Sequence, residues 1–201
     1  MSGISLSRRE SQVDFVAGNA ESERKVRAPM DLVKLGIPYG FLRERTRLTW
    51  REVLFGMGNE LLSSEVPVEK AVEQLGIEDG PARALVDLAG LEPWRSPRDY
   101  VGALADAEAR QDAEAIKGKW LYLVLDWVFI NREHFADPLE MVEKIYADFG
   151  YPERIARFIR YMPSDEPDLG SRELNEQRLY GQWKNCLDEL SVEYSPRGAG
   201  T

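Results

Sequence analysis

The chain of 201 residues is short of the side chains that carry most metal and redox chemistry, with one cysteine (Cys186) and one histidine (His134). A single cysteine excludes an intramolecular disulfide and fits a reducing compartment. One cysteine and one histidine cannot supply the ligand set of an ordinary zinc site. Basic residues are outnumbered too, 26 against 35 acids, for a net charge of −9. Proteins led by phosphate contacts carry a basic face, so direct nucleic-acid binding is set aside. Long apolar runs are absent. The longest, Trp120 to Ile130, has eleven residues and is broken by Asp126, whereas a bilayer span needs about 20. Residues 1–10 hold no apolar stretch of the signal-peptide kind. The expectation is a cytoplasmic protein with no membrane segment, no cofactor and no metal.

What is present is a globular composition. Apolar residues make up 43% of the chain, and a domain of this size buries roughly 70% of its unfolded surface. Charge is unevenly spread. Residues 1–50 hold nine bases and six acids, leaving 17 bases and 29 acids in residues 51–201. The acid therefore belongs to the body of the domain. Residues 1–25 are polar and mixed in charge, and read as a flexible leader. Residues 26–190 read as one helical domain, and 191–201 as a frayed tail.

Helix punctuation fills the middle. Thr49-Trp50-Arg51-Glu52 fits a capping box, and Val53, Leu54, Met57, Leu61 and Leu62 follow at helical spacings. Pro67 suits a first helical turn closed at Gly76. Gly80-Pro81 starts a helix closed at Gly90, and Ser96-Pro97 starts another with Asp99 in its first turn. Ala113 to His134 reads as one long central helix, because Trp120, Leu121, Val124, Leu125, Trp127 and Val128 cover a wide arc. Asp137-Pro138 opens a helix stopped by Gly150, and Tyr151-Pro152 opens one that ends by Met162-Pro163. Ser171 caps a last long helix carrying Leu174, Leu179, Trp183, Cys186 and Leu190. No strand pattern survives. The expected class is all-α, a single globular domain of about seven or eight helices behind a flexible N-terminal leader.

Several motifs reduce to helix chemistry. Gly56-Met57-Gly58 follows no strand and lacks the third glycine of a dinucleotide loop, so close helix packing explains it better. Asp148-Phe149-Gly150 spells the kinase metal-binding tripeptide without its companion signatures, and Gly150 reads as a helix end. Pro67-Val68-Glu69 and Pro138-Leu139-Glu140 echo each other through shared helix-start chemistry, with no fixed repeat period. Cys186 and His134 read as a core residue and a helix-end cation rather than a catalytic pair.

Residues 121–150 are different, with six acids against two bases: Asp126, Glu133, Asp137, Glu140, Glu143 and Asp148. The Glu-x-x-His motif of a di-iron bundle is missing. A solvated face, a docking surface for a basic partner, and acid–base catalysis by a carboxylate pair all remain open. Aromatics crowd Trp120 to Tyr161, and any left exposed beside the acids would anchor an interface.

One stretch carries a resemblance. Lys119-Trp120-Leu121-Tyr122-Leu123 leads to Asp126-Trp127 and Asn131-Arg132-Glu133. Asp137-Pro138-Leu139-Glu140, Tyr146-Ala147-Asp148-Phe149-Gly150-Tyr151-Pro152 and Arg160-Tyr161-Met162-Pro163 follow, with Trp183-Lys184 later and Leu48-Thr49-Trp50 upstream. The pattern, over residues 37–190 and densest from 119 to 163, resembles a bacterial family of small, wholly helical proteins of unassigned function. The resemblance implies an accessory or immunity protein of a toxin system. On that footing the chain reads as a non-enzymatic immunity-type protein whose acidic face neutralises a basic toxin domain. Asp137, Glu140, Glu143 and Asp148 are the expected contact residues, with Tyr122 and Tyr146 as anchors. A helical scaffold or regulatory adaptor without a toxin partner is the alternative, and a carboxylate-based enzyme the third reading.

Overall fold

A computed structural model describes residues 35–164 and 166–195. The expected leader, residues 1–25, lies outside the described residues. Among those described there are nine α-helices: α1 Tyr39–Arg45, α2 Trp50–Gly58, α3 Val66–Leu75, α4 Arg83–Ala89, α5 Arg98–Ala107, α6 Ala113–Ile130, α7 Pro138–Asp148, α8 Glu153–Ala156 and α9 Arg172–Tyr194. The only β pairing among them is an isolated parallel bridge, Ile37 with Leu62. The all-α expectation holds. No described helix is long and apolar enough to cross a membrane.

The helices form two groups that share α6. In the first, α2 packs on α5, α3 on α4, α4 on α5, and α1 on α3. In the second, α7 and α9 pack on α6, and α8 on α9. Helix α6 also touches α2. Its residues Trp120 to Leu125 are all buried, as the wide apolar arc predicts. Trp120 makes the join. Its indole N–H donates to the Glu52 carbonyl at 2.9 Å. A Cβ added at Gly56 would sit 2.4 Å from the Trp120 ring, so only glycine lets α2 approach so closely. The second glycine, Gly58, has no such neighbour.

Caps behave as their residue types dictate. The Thr49 hydroxyl accepts from the Glu52 N–H at 3.2 Å, and Glu52 Oε2 returns the bond to the Thr49 N–H at 2.8 Å. Asp137 caps α7 through the Glu140 N–H at 3.0 Å, and Ser171 caps α9 through the Leu174 N–H at 3.1 Å. Other boundaries move. Helix α6 stops at Ile130, because the Asn131 side-chain amide bonds the Trp127 carbonyl at 2.8 Å. Residues Arg132–His134 then form a separate 3₁₀ turn, and His134 is exposed at its end. The helix after Pro152 is one turn long, far short of Met162. Helix α9 continues to Tyr194, four residues into the expected tail. Helix α1 has no counterpart in the sequence reading.

The second group closes around Trp183, which is fully buried. Phe158 stacks on it at 6.2 Å and Phe129 meets it edge-on at 5.0 Å. Cys186 sits one turn along, fully buried, and burial pushes its thiol above the ordinary value despite the nearby Arg157.

Candidate functional site

Helix α7 presents the acids that the sequence singled out, but most are engaged within the molecule. Arg160, from the segment after α8, donates to Asp137 Oδ2 at 2.7 Å and to Glu143 Oε1 at 2.8 Å. Glu140 pairs with Lys144 at 2.9 Å along the helix. Asp126 belongs elsewhere, bonded at 2.7 Å to Arg45 of α1. Asp148 is half-buried at the end of α7. The structure thus brings Asp137 and Glu143 together on one guanidinium, with Glu140 on an exposed flank.

Burial pushes the Asp137 carboxyl up, but the Glu140 N–H and the Arg160 guanidinium outweigh it and hold the group below its ordinary value. A general acid requires the opposite shift. Among the described residues, no three His, Cys, Asp or Glu side chains are grouped to hold a metal ion.

The expected anchors need correcting. Tyr122 is 4% and Tyr146 5% exposed. Tyr122 faces the core because α6 is apolar on nearly every side, and its ring stacks on Tyr194 at 5.8 Å. Tyr146 is covered by its own neighbours. Tyr151 meets it edge-on at 5.2 Å and Tyr161 lies 6.3 Å away. These two are the exposed aromatics beside the α7 acids, at 62% and 58%.

The way α7 ends explains why Tyr151 stands out. Gly150 adopts φ 79°, its N–H bonds the Ala147 carbonyl at 3.0 Å, and the Tyr151 N–H bonds the Tyr146 carbonyl at 2.8 Å. That pairing is a Schellman stop, whose usual apolar contact is here the Tyr151–Tyr146 ring pair. Tyr151 itself has φ 60°, a left-handed conformation that costs a residue with a side chain about 1 kcal/mol. Tyr151 and Tyr161 belong to the aromatic run from Trp120 to Tyr161, in which composition marks any member exposed beside the acids as an anchor without telling which ones are exposed. The Gly-Tyr-Pro and Tyr-Met-Pro triplets were the available signal.

Beside this face lies a cleft of about 500 Å³, lined among others by Arg157, Arg160, Arg172, Arg178, Glu166 and Glu176. Its arginines are all matched with acids. Arg157 pairs with Glu189 at 3.1 Å, Arg172 with Glu176 at 2.8 Å and Arg178 with Glu166 at 3.3 Å.

A family model described as "uncharacterized protein conserved in bacteria" (DUF2247) matches residues 39–191. The chain belongs to this family. The DUF2247 match spans α1 to α9, nearly the same residues as the pattern read from the sequence, and it covers the whole tyrosine–acid face. No curated protein and no solved structure matches the chain.

Proposed function

We propose that the protein is a non-enzymatic binding module of the immunity type, which captures a basic toxin domain through the face formed by α7 and the segment 150–162. What supports this reading most is the pair Tyr151 and Tyr161, both exposed, packed around Tyr146 and next to the carboxylates of α7. Tyrosines rigidly held at a surface are the residues that dominate interface energetics. Acids around them steer a cationic partner and fix its approach. Arg160 serves this face as an internal counter-charge: it orients Asp137 and Glu143 while each keeps a further lone pair for a donor from the partner.

The test is co-expression of this chain with the product of the neighbouring gene in a bacterial host. The expected result is that the neighbour is toxic alone and harmless beside the wild-type chain. Tyr151→Ser with Tyr161→Ser should remove protection while leaving the helical circular dichroism unchanged. A neighbour that is harmless without this chain ends the immunity reading.

A second reading, an adaptor with no toxin partner, has one observation in its favour. Trp94, on the loop between α4 and α5, is 78% exposed. Under that reading, capture depends on Trp94 and survives high salt, whereas capture through the α7 acids weakens as salt screens them.

A further inference from the structure

A cleft of about 700 Å³ lies in the other helix group, between α1, the linker 46–48 and α3, and its charge runs against that of the whole protein. Arg43 on α1, Arg47 in the linker and Lys70 on α3 line it, against a single lining carboxylate, Glu73. Among the described residues no acid lies within ion-pair distance of Arg43, Arg47 or Lys70, although the chain as a whole has nine more acids than bases.

Lys70 is the most buried of the three cations that line the cleft. Its ammonium sits 4.6 Å from the centroid of the Trp50 ring, where a cation is held without being neutralised. Burial lowers its pKa, while Glu108, Glu73 and Glu52 pull the other way from beyond contact distance. Two of those acids are occupied elsewhere. Glu108 accepts from the Trp50 and Arg51 N–H groups at 2.9 and 3.1 Å, and Glu52 pairs with Lys119 at 2.6 Å. Glu73 accepts from the Tyr39 hydroxyl, whose pKa is raised first by burial and then by that bond.

The walls are built rather than loose. The Gln74 side chain is fixed at both ends, accepting from the Trp50 indole at 3.1 Å and donating to Glu78 at 2.7 Å. The linker is held from behind, where Lys119 donates to the Arg47 carbonyl at 3.4 Å. Leu48 and Ile77 give the cleft an apolar margin. A volume of this size is that of a small-molecule site.

We propose that this cleft binds a small organic phosphate, with Lys70, Arg43 and Arg47 on the phosphate oxygens and Leu48 and Ile77 against the organic part. Guanidinium forks and a point-charge lysine are the ordinary donors to a doubly charged oxyanion. A monocarboxylate would leave one or two of the three cations unmatched.

The test is calorimetric titration of the full chain with inorganic pyrophosphate at low salt. Arg83→Gln serves as a control, since Arg83 is exposed and already paired with Asp87 at 2.9 Å. Binding of one pyrophosphate per chain is expected. Lys70→Met and the double variant Arg43→Gln/Arg47→Gln should each weaken it at least about tenfold, the loss of one charge-assisted contact, with Arg83→Gln unchanged. Because Arg43 and Arg47 are exposed, their variant keeps the fold even if Lys70→Met does not. No binding overturns the proposal, as does binding that the double variant leaves intact or that Arg83→Gln weakens equally.

Discussion

The α1–α3 cleft and the face around α7 and α9 treat their arginines differently, although elsewhere in the first group Arg45 and Arg83 are paired with Asp126 and Asp87. Around α7 and α9, Arg154, Arg157, Arg160, Arg172 and Arg178 each meet a carboxylate within 3.3 Å. In the α1–α3 cleft, Arg43 and Arg47 face open space and Lys70 leans on an aromatic ring. Both sets are built from the same residue types in a protein with surplus acid, so scarcity of partners does not explain the difference. Matched cations hold segments together, here residues 157–160 and Glu166 against α7 and α9. Arg43 and Arg47 tie no described segment to another through an acid, and their guanidinium groups are left open to an anion from outside the chain.

Substitutions separate the two uses. The largest effect is expected at the wall between the groups, for Glu52→Ala. Glu52 is 2% exposed and holds both Lys119 and the Thr49 N–H. Its loss should cost about 3 kcal/mol in urea unfolding, since a half-buried lysine and a helix start both lose their partner. Gly56→Ala comes next, at about 2 kcal/mol, because the added methyl meets the rigid Trp120 ring. Arg160→Leu strands Asp137 and Glu143 and should cost about 1–2 kcal/mol. Smallest is Arg43→Gln, expected within about 0.5 kcal/mol of wild type or slightly stabilising. If Arg43→Gln destabilised as much as Arg160→Leu, the contrast between matched and unmatched cations would collapse.

Acid titration gives a further check. The Asp137 carboxyl is held below its ordinary value in the fold. Its contribution is therefore complete above the unfolded value of about 3.9 and is lost as pH falls through the folded one. Urea midpoints measured from pH 6 down to pH 3 should fall less steeply for Asp137→Asn than for wild type.

Much of the fold was legible in the sequence wherever a local rule operates. The Thr49–Glu52 box, the Asp137 and Ser171 caps, the glycine under Trp120 and the burial of Cys186 all follow from neighbours within a turn or from residue type. Helix α1 was not legible, since it is seven residues long and its Pro38 N-cap offers no side-chain bond. The stop at Asn131 turns on a rotamer, which periodicity does not encode. The candidate sites were harder to read. Arg160 lies 23 and 17 residues from the acids it joins, and Lys70 meets Arg43 and Arg47 only through the packing of α1 on α3. The burial of Tyr122 depends on how α6 is covered by its neighbours, Tyr194 of α9 among them, which helical periodicity does not reveal.

The parallel bridge between Ile37 and Leu62 has a geometric consequence. Ile37 donates to the Leu61 carbonyl at 2.9 Å and accepts from the Ser63 N–H at 3.1 Å, and α1 begins two residues later at Tyr39. With so short a lead-in, the clamp sets the rotational phase of α1. One residue inserted between Ile37 and Tyr39 would turn every side chain of that helix by about 100°, carrying Arg43 off the cleft wall while leaving composition and net charge untouched. A neutral insertion there would act as a purely angular mutation, able to remove a charge from a site without removing it from the protein.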